Sequence, residues 1–338
     1  MPHHSRIDIE RWLAEFPLES FEEKSGPRRF ESSDKDDPVD LWKASGSPIS
    51  SPADLCKVEL VRQRVAAKHS LSEPVPVDLF LWQRTPSAFP YLTKLGGTPF
   101  RDRRSKWPID DEGKPYTFVA QFCFLDSLDV LPVKPPGDVL LVFFRCPDAY
   151  CGEESDIVLE WVNVDEVEPV DESDCPVPGF VVPSLYGAVH RFTEFDEWAD
   201  VEAFKREGHY FPYHFGVTQS TKIGTVTHYI QGDPRISIDL EGVDIEMLAK
   251  SAGDTPIDVS QFDPQVVLDA TLICTLNSIQ LSDRWPLVDV EDVSNLETSA
   301  GSEQEYGWGP YEMMFADVGC IYFFLDENGR THWRSDSY

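Results

Sequence analysis

The chain has 338 residues, enough for one large or two ordinary domains with a sizeable core. Its formal net charge of −31 argues against nonspecific binding to nucleic acid or to an anionic membrane surface. Twenty-seven Pro argue against an all-helical fold, and no apolar run approaches the roughly 20 residues that a membrane helix needs.

Taken in order, the chain opens with Ile9, Trp12, Leu13 and Phe16 at the spacing of a short amphipathic helix. Residues 22–50 are polar and Pro-punctuated, with the charge run Asp34-Lys35-Asp36-Asp37, and read as a surface arm. Ser51 then caps a predicted helix that runs to about His69, with Pro52 in its first turn. Residues 1–75 are therefore read as N-terminal helices and a polar arm. The opening Met1-Pro2-His3-His4-Ser5-Arg6 lacks an apolar signal core, which points to a cytoplasmic protein.

The first β-rich half, 76–217, starts with a strand over Val77–Trp82. Lys94-Leu95-Gly96-Gly97-Thr98-Pro99 is turn chemistry, because glycine tolerates positive φ and the later proline blocks a helix. Thr117–Leu125 and Asp138–Arg145 are apolar at both parities, so each reads as a strand covered on two faces. Gln121 is the anomaly there: a buried amide must either bond a neighbouring loop or line a pocket. Ile157–Val164 is a further strand, and Phe192–Glu207 has helical spacing at Phe195, Trp198 and Phe204.

The second half, 218–338, echoes the first. Thr221-Lys222-Ile223-Gly224 matches Thr93-Lys94-Leu95-Gly96, and Leu272–Leu276 matches Phe118–Phe122. Gly319–Phe324 then matches Val139–Phe144. Three matches in one order imply an internal duplication. Val243–Lys250 and Pro264–Leu268 read as short helical pieces, and Ala270–Leu281 and Val318–Asp326 as strands. Asn328-Gly329 turns the last of these back into Thr331–Trp333.

Chemistry is sparsely signalled. The Cys146–Cys151 spacing is admissible for zinc, but there is no second tight pair and the His spacing fits no metal motif, so no metal or cofactor is assigned. The seven Cys, several inside apolar runs, suit reduced buried thiols. No nucleophile elbow and no phosphate-binding glycine motif occurs. Trp107, Trp285 and Trp308 lie in predicted loops, where Trp often anchors a partner, although Trp also commonly caps a β core. Residues 146–175 hold eleven acidic residues and no Lys or Arg; residues 285–329 hold ten acidic residues and again no Lys or Arg. Such one-sign surfaces steer basic partners.

The words Lys94–Pro99, Trp107-Pro108, Phe118–Phe122, Leu140–Phe144, Thr221–Gly224, Tyr229-Ile230-Gln231 and Met314–Phe324 together resemble the YwqG-like family, a bacterial domain of unknown function. The resemblance covers roughly 90–334. It supplies no reaction, and it implies a binding role through the defence and toxin-immunity modules that members accompany. This chain departs from the pattern at Gly224-Thr225, where the family usually has a Gly pair.

The expectation is an α+β, mainly β fold of two related halves packed together, with N-terminal helices. The preferred function is a cytoplasmic protein-binding module, of the immunity type, that meets a basic protein partner and neither nucleic acid nor membrane. Its binding residues are read as Trp107, Gln121, Gln231, Trp285, Glu291, Asp292, Glu303, Glu305 and Trp308. An enzyme acting on a small molecule in the cleft between halves is the alternative, and a non-catalytic scaffold the third reading.

Overall fold

A strand with apolar side chains at both parities needs cover on both faces, and that requirement organises the molecule. The computed structural model describes residues 73–194, 220–227, 229, 233–238, 264–279, 308, 313–316 and 319–337. The first strands are β1 (Val75–Gln83), β2 (Lys94–Leu95), β3 (Thr117–Cys123), β4 (Val139–Phe144), β5 (Ile157–Val162) and β6 (Leu185–Glu194). They are followed by β7 (Lys222–Ile223), β8 (Ile236–Ile238), β9 (Pro264–Val266), β10 (Ala270–Asn277), β11 (Cys320–Asp326) and β12 (Thr331–Asp336).

Ten of these strands form one antiparallel sheet in the order β12-β11-β10-β7-β1-β6-β2-β3-β4-β5. β8 and β9 pair separately. The large sheet reads outward from the central β1–β6 pair in matching steps. Lys94 and Leu95 lie opposite Gln121 and Ala120, as Lys222 and Ile223 lie opposite Thr275 and Cys274. The register slips between Phe118 and Ala120 on one side and between Leu272 and Cys274 on the other. Gly96 N donates to Val119 O and Gly224 N to Ile273 O, while Thr93 and Thr221 hydroxyls accept from Cys123 N and Asn277 N. The leading strands are exchanged: β1 pairs with β7, and β6 with β2.

The sheet curls into a nearly closed barrel. Inside lie Phe80, Trp82, Leu95, Phe122, Leu140, Val142 and Phe144 from one set, packed with Ile223, Ile273, Ile321 and Phe323 from the other. The rings of Phe122 and Phe323 meet at 5.8 Å. Outside, Cys123, Val139, Leu141 and Phe143 are covered by Phe100, Tyr116 and Trp107, and Leu272, Tyr322 and Phe324 by Tyr229. The outermost strands are joined by side chains, with Trp161 Nε1 donating to Thr331 Oγ1 at 2.7 Å. Trp333 Nε1 donates to Glu154 O at 3.2 Å.

These findings correct the expected fold class. The two strand sets share one sheet instead of packing as separate halves, because each set's leading strand belongs to the other's ladder. The fold is mainly β, and among the described residues the helical elements are three-residue turns such as Leu128–Val130 and Ala149–Cys151. The helices expected over residues 9–16, 51–69 and 243–250 lie outside the described residues. Phe192 belongs to β6, and the rest of the helix expected over 192–207 lies almost entirely outside the described residues. Pro264–Val266, read as a helical piece, is a strand; five residues are too few for periodicity to separate the two. Among the described residues, no helix is long and apolar enough to cross a membrane.

Candidate functional site

Of the expected binding residues, Trp107, Gln121 and Trp308 lie among the described residues. Gln231, Trp285, Glu291, Asp292, Glu303 and Glu305 lie outside them. Gln121 is fully buried on β3 and every polar atom of it is used. Its Oε1 accepts from Phe100 N at 2.9 Å, and its Nε2 donates to Pro90 O at 2.9 Å and Leu92 O at 2.7 Å. It fastens the 90–100 turn to the sheet, which is the loop-bonding role open to it in the sequence.

Trp107 is half-buried. Its Nε1 donates to Tyr116 O at 2.8 Å, its ring meets Phe143 edge-on at 5.3 Å, and the Arg101 guanidinium lies 5.5 Å from its centre. Arg101, in turn, grips Glu160 of β5 through Nε at 2.6 Å and Nη2 at 3.0 Å. Trp308 is 3% exposed and packs against Phe144, Phe180 and Phe315. Both indoles therefore act as packing elements, and Trp308 is too enclosed to anchor a partner.

The acidic stretch after β4 is different. Glu153, Glu154, Asp165, Glu166, Glu168, Asp171, Glu172 and Asp174 are all exposed, and Val177 beside them is 87% exposed. Pro169, Pro176 and Pro178 keep this segment out of the sheet ladder. Arg103 pairs with Glu168 at 3.0 Å, and Arg104 with Asp102. These two exposed arginines lie against the acidic segment and offset part of its charge, leaving it net negative. Val177 carries no sequence signal beyond its place between two prolines.

A second feature is a set of buried polar groups on the strands of the sheet. Lys222 Nζ reaches Glu194 Oε2 at 2.5 Å, with both side chains essentially without exposure. Lys94, at the matching position of the other strand set, is 6% exposed and donates to Pro90 O at 3.2 Å. Burial lowers its amine to about 8, and the Cys175 thiol is its titratable neighbour. His190 is also buried, and burial lowers its imidazole to about 4. Burial pushes the Cys123 thiol up to about 12 and raises Cys274 and Cys320, so these thiols are inert at neutral pH. Cys146 is half-buried and Cys151 exposed. The repeated Thr-Lys-x-Gly word marks both lysines, but only the tertiary pairing separates them.

The family model for a domain of unknown function, DUF1963, matches residues 93–330. No curated protein matches the chain.

Proposed function

Since the chain belongs to the DUF1963 family, for which no function is defined, we propose its role from the surface: a protein-binding module whose acidic face receives a basic partner. The observation that carries this reading is the run of eight exposed carboxylates over 153–174, with Val177 as an exposed apolar contact at its end. A surface of net negative charge raises association rates for an oppositely charged partner, and an apolar residue beside it slows dissociation. The YwqG-like resemblance narrows this to an immunity-type inhibitor acting in the cytoplasm.

The test is association kinetics with a basic partner recovered by co-purification, at two salt concentrations. Replacing Asp165, Asp171, Glu172 and Asp174 by their amides should slow association roughly tenfold at low salt and flatten its salt dependence. Val177→Ser should speed dissociation and leave association unchanged. An association rate indifferent to salt and to these charges would leave the acidity as a solubility device.

A further inference from the structure

The two strand sets form an internal comparison for the buried lysines. Lys94 and Lys222 occupy matched positions, Lys94 opposite Gln121 of β3 and Lys222 opposite Thr275 of β10. Lys222 has its carboxylate in Glu194. The first set has none. Gly187 N donates to Thr93 O as Phe80 N donates to Thr221 O, so Gly187 and Phe80 correspond. Glu194 stands as far beyond Gly187 as Ser87 stands beyond Phe80. Ser87 carries only a hydroxyl, which accepts from Phe89 N at 3.3 Å.

Lys94 therefore sits 6% exposed with one hydrogen bond, to a carbonyl that Gln121 also uses. Among the described residues, no carboxylate pairs with it. Tyr186 lies opposite it on β6 and Gln121 on β3, both uncharged, and the half-buried Cys175 thiol is the titratable group nearby. An ammonium held this way lacks the counter-charge that offsets desolvation, whereas a neutral amine does not need one. Its lone pair is then available at neutral pH.

We propose that Lys94 is a nucleophilic amine that condenses with small aldehydes or ketones, a reaction closed to its ion-paired counterpart Lys222. The Nζ lone pair attacks the carbonyl carbon and forms a C–N bond. The carbonyl oxygen takes both amine protons and leaves as water, giving a C=N imine with no change in oxidation state. The reaction is reversible, and the burial of Lys94, 6% exposed, restricts it to small carbonyl compounds.

The experiment incubates the full chain with acetaldehyde and sodium cyanoborohydride at pH 7.4 and follows each lysine by peptide mass spectrometry. Cyanoborohydride supplies the hydride that traps the imine as a stable secondary amine. An amine near 8 is neutral roughly two hundredfold more often at this pH than an ordinary lysine near 10.4, and its lower basicity gives back part of that gain. Lys94 should therefore be ethylated on the order of a hundredfold faster than exposed Lys106 and Lys134, and faster than Lys222. The preference should vanish in urea. In Lys94→Arg the selective adduct should be lost while the other lysines label as before. Labelling of Lys94 no faster than Lys134, or equal labelling of Lys94 and Lys222, would overturn the assignment.

Discussion

Replacing Gln121 with Leu removes the amide at the crossing of β2 and β3 while nearly preserving side-chain volume. In the native structure the amide satisfies Phe100 N, Pro90 O and Leu92 O, and the residue has no exposure. Leu would leave the Phe100 N–H buried and unpaired, which costs about 1–3 kcal/mol. Leu92 O would lose its side-chain donor, whereas Pro90 O would keep the Lys94 amine. With some return from the added apolar burial, the net loss should be about 2–4 kcal/mol. That corresponds to a fall in Tm of roughly 5–10 °C for a domain of this size. Urea unfolding followed by Trp fluorescence measures it directly. Gln121→Glu adds a pH arm. Its carboxylate would face two carbonyl oxygens, so its folded-state pKa would rise above the unfolded value. The folded variant then holds a proton that the unfolded chain has lost, and stability falls as pH rises above ~4.3. Its deficit against the parent should therefore widen from pH 4.5 to 7. A Gln121→Leu change below about 0.5 kcal/mol would refute the reasoning, since effects that small are typical of sites without a buried network.

Three further outcomes are expected. His190, lowered to about 4 by burial, is protonated in the unfolded chain before the folded one as pH falls. Stability should drop between pH 6.5 and 4 by roughly 1.4 kcal/mol per unit, and His190→Leu should flatten that slope in urea midpoints; unchanged slopes would count against it. Lys94, lowered to about 8, binds its proton less tightly when folded than when unfolded, so stability should rise with pH from about 8 to 10. Lys94→Met should remove that rise and add about 1–3 kcal/mol at pH 7, and a destabilised variant would contradict the account. Gly96 has φ +54°, and a Cβ there would meet Pro183 O at 2.7 Å, whereas Gly329 has φ +75° and open space around it. Gly96→Ala should cost about 2–4 kcal/mol and Gly329→Ala about 1; the reverse ranking in thermal melts would show that the close approach at Gly96 is not what limits it.

Much of the sheet was legible in the sequence because its signals are local. Apolar residues at both parities marked β3, β4 and β11, and Asn328-Gly329 marked the β11–β12 turn, where Gly329 does adopt positive φ. The repeated Thr-Lys-x-Gly word falls on β2 and β7, each only two residues long, where the sequence signals turn chemistry and not a strand. β6 was missed. Tyr186, Gly187, Ala188, His190 and Arg191 mix small, polar and aromatic residues, and the strand takes its cover from β1 and β2. Periodicity cannot report cover supplied by residues distant in the chain.

The candidate sites divide along the same line. Sequence alone determined that the chain is acidic, that its strands are covered on both faces and that its segments recur in one order, since each follows from residue types and their spacing. Tertiary structure decided the rest. It enclosed Trp308, left Trp107 half-buried, used up every polar atom of Gln121, and kept eight carboxylates of 153–174 and Val177 in water. It also gave Lys222 a carboxylate and withheld one from Lys94, although the two lysines sit in nearly the same word. The reason is physical: exposure and ion pairing depend on which distant strand lies alongside, and the exchange of β1 and β6 between the two ladders settles that only when the chain folds.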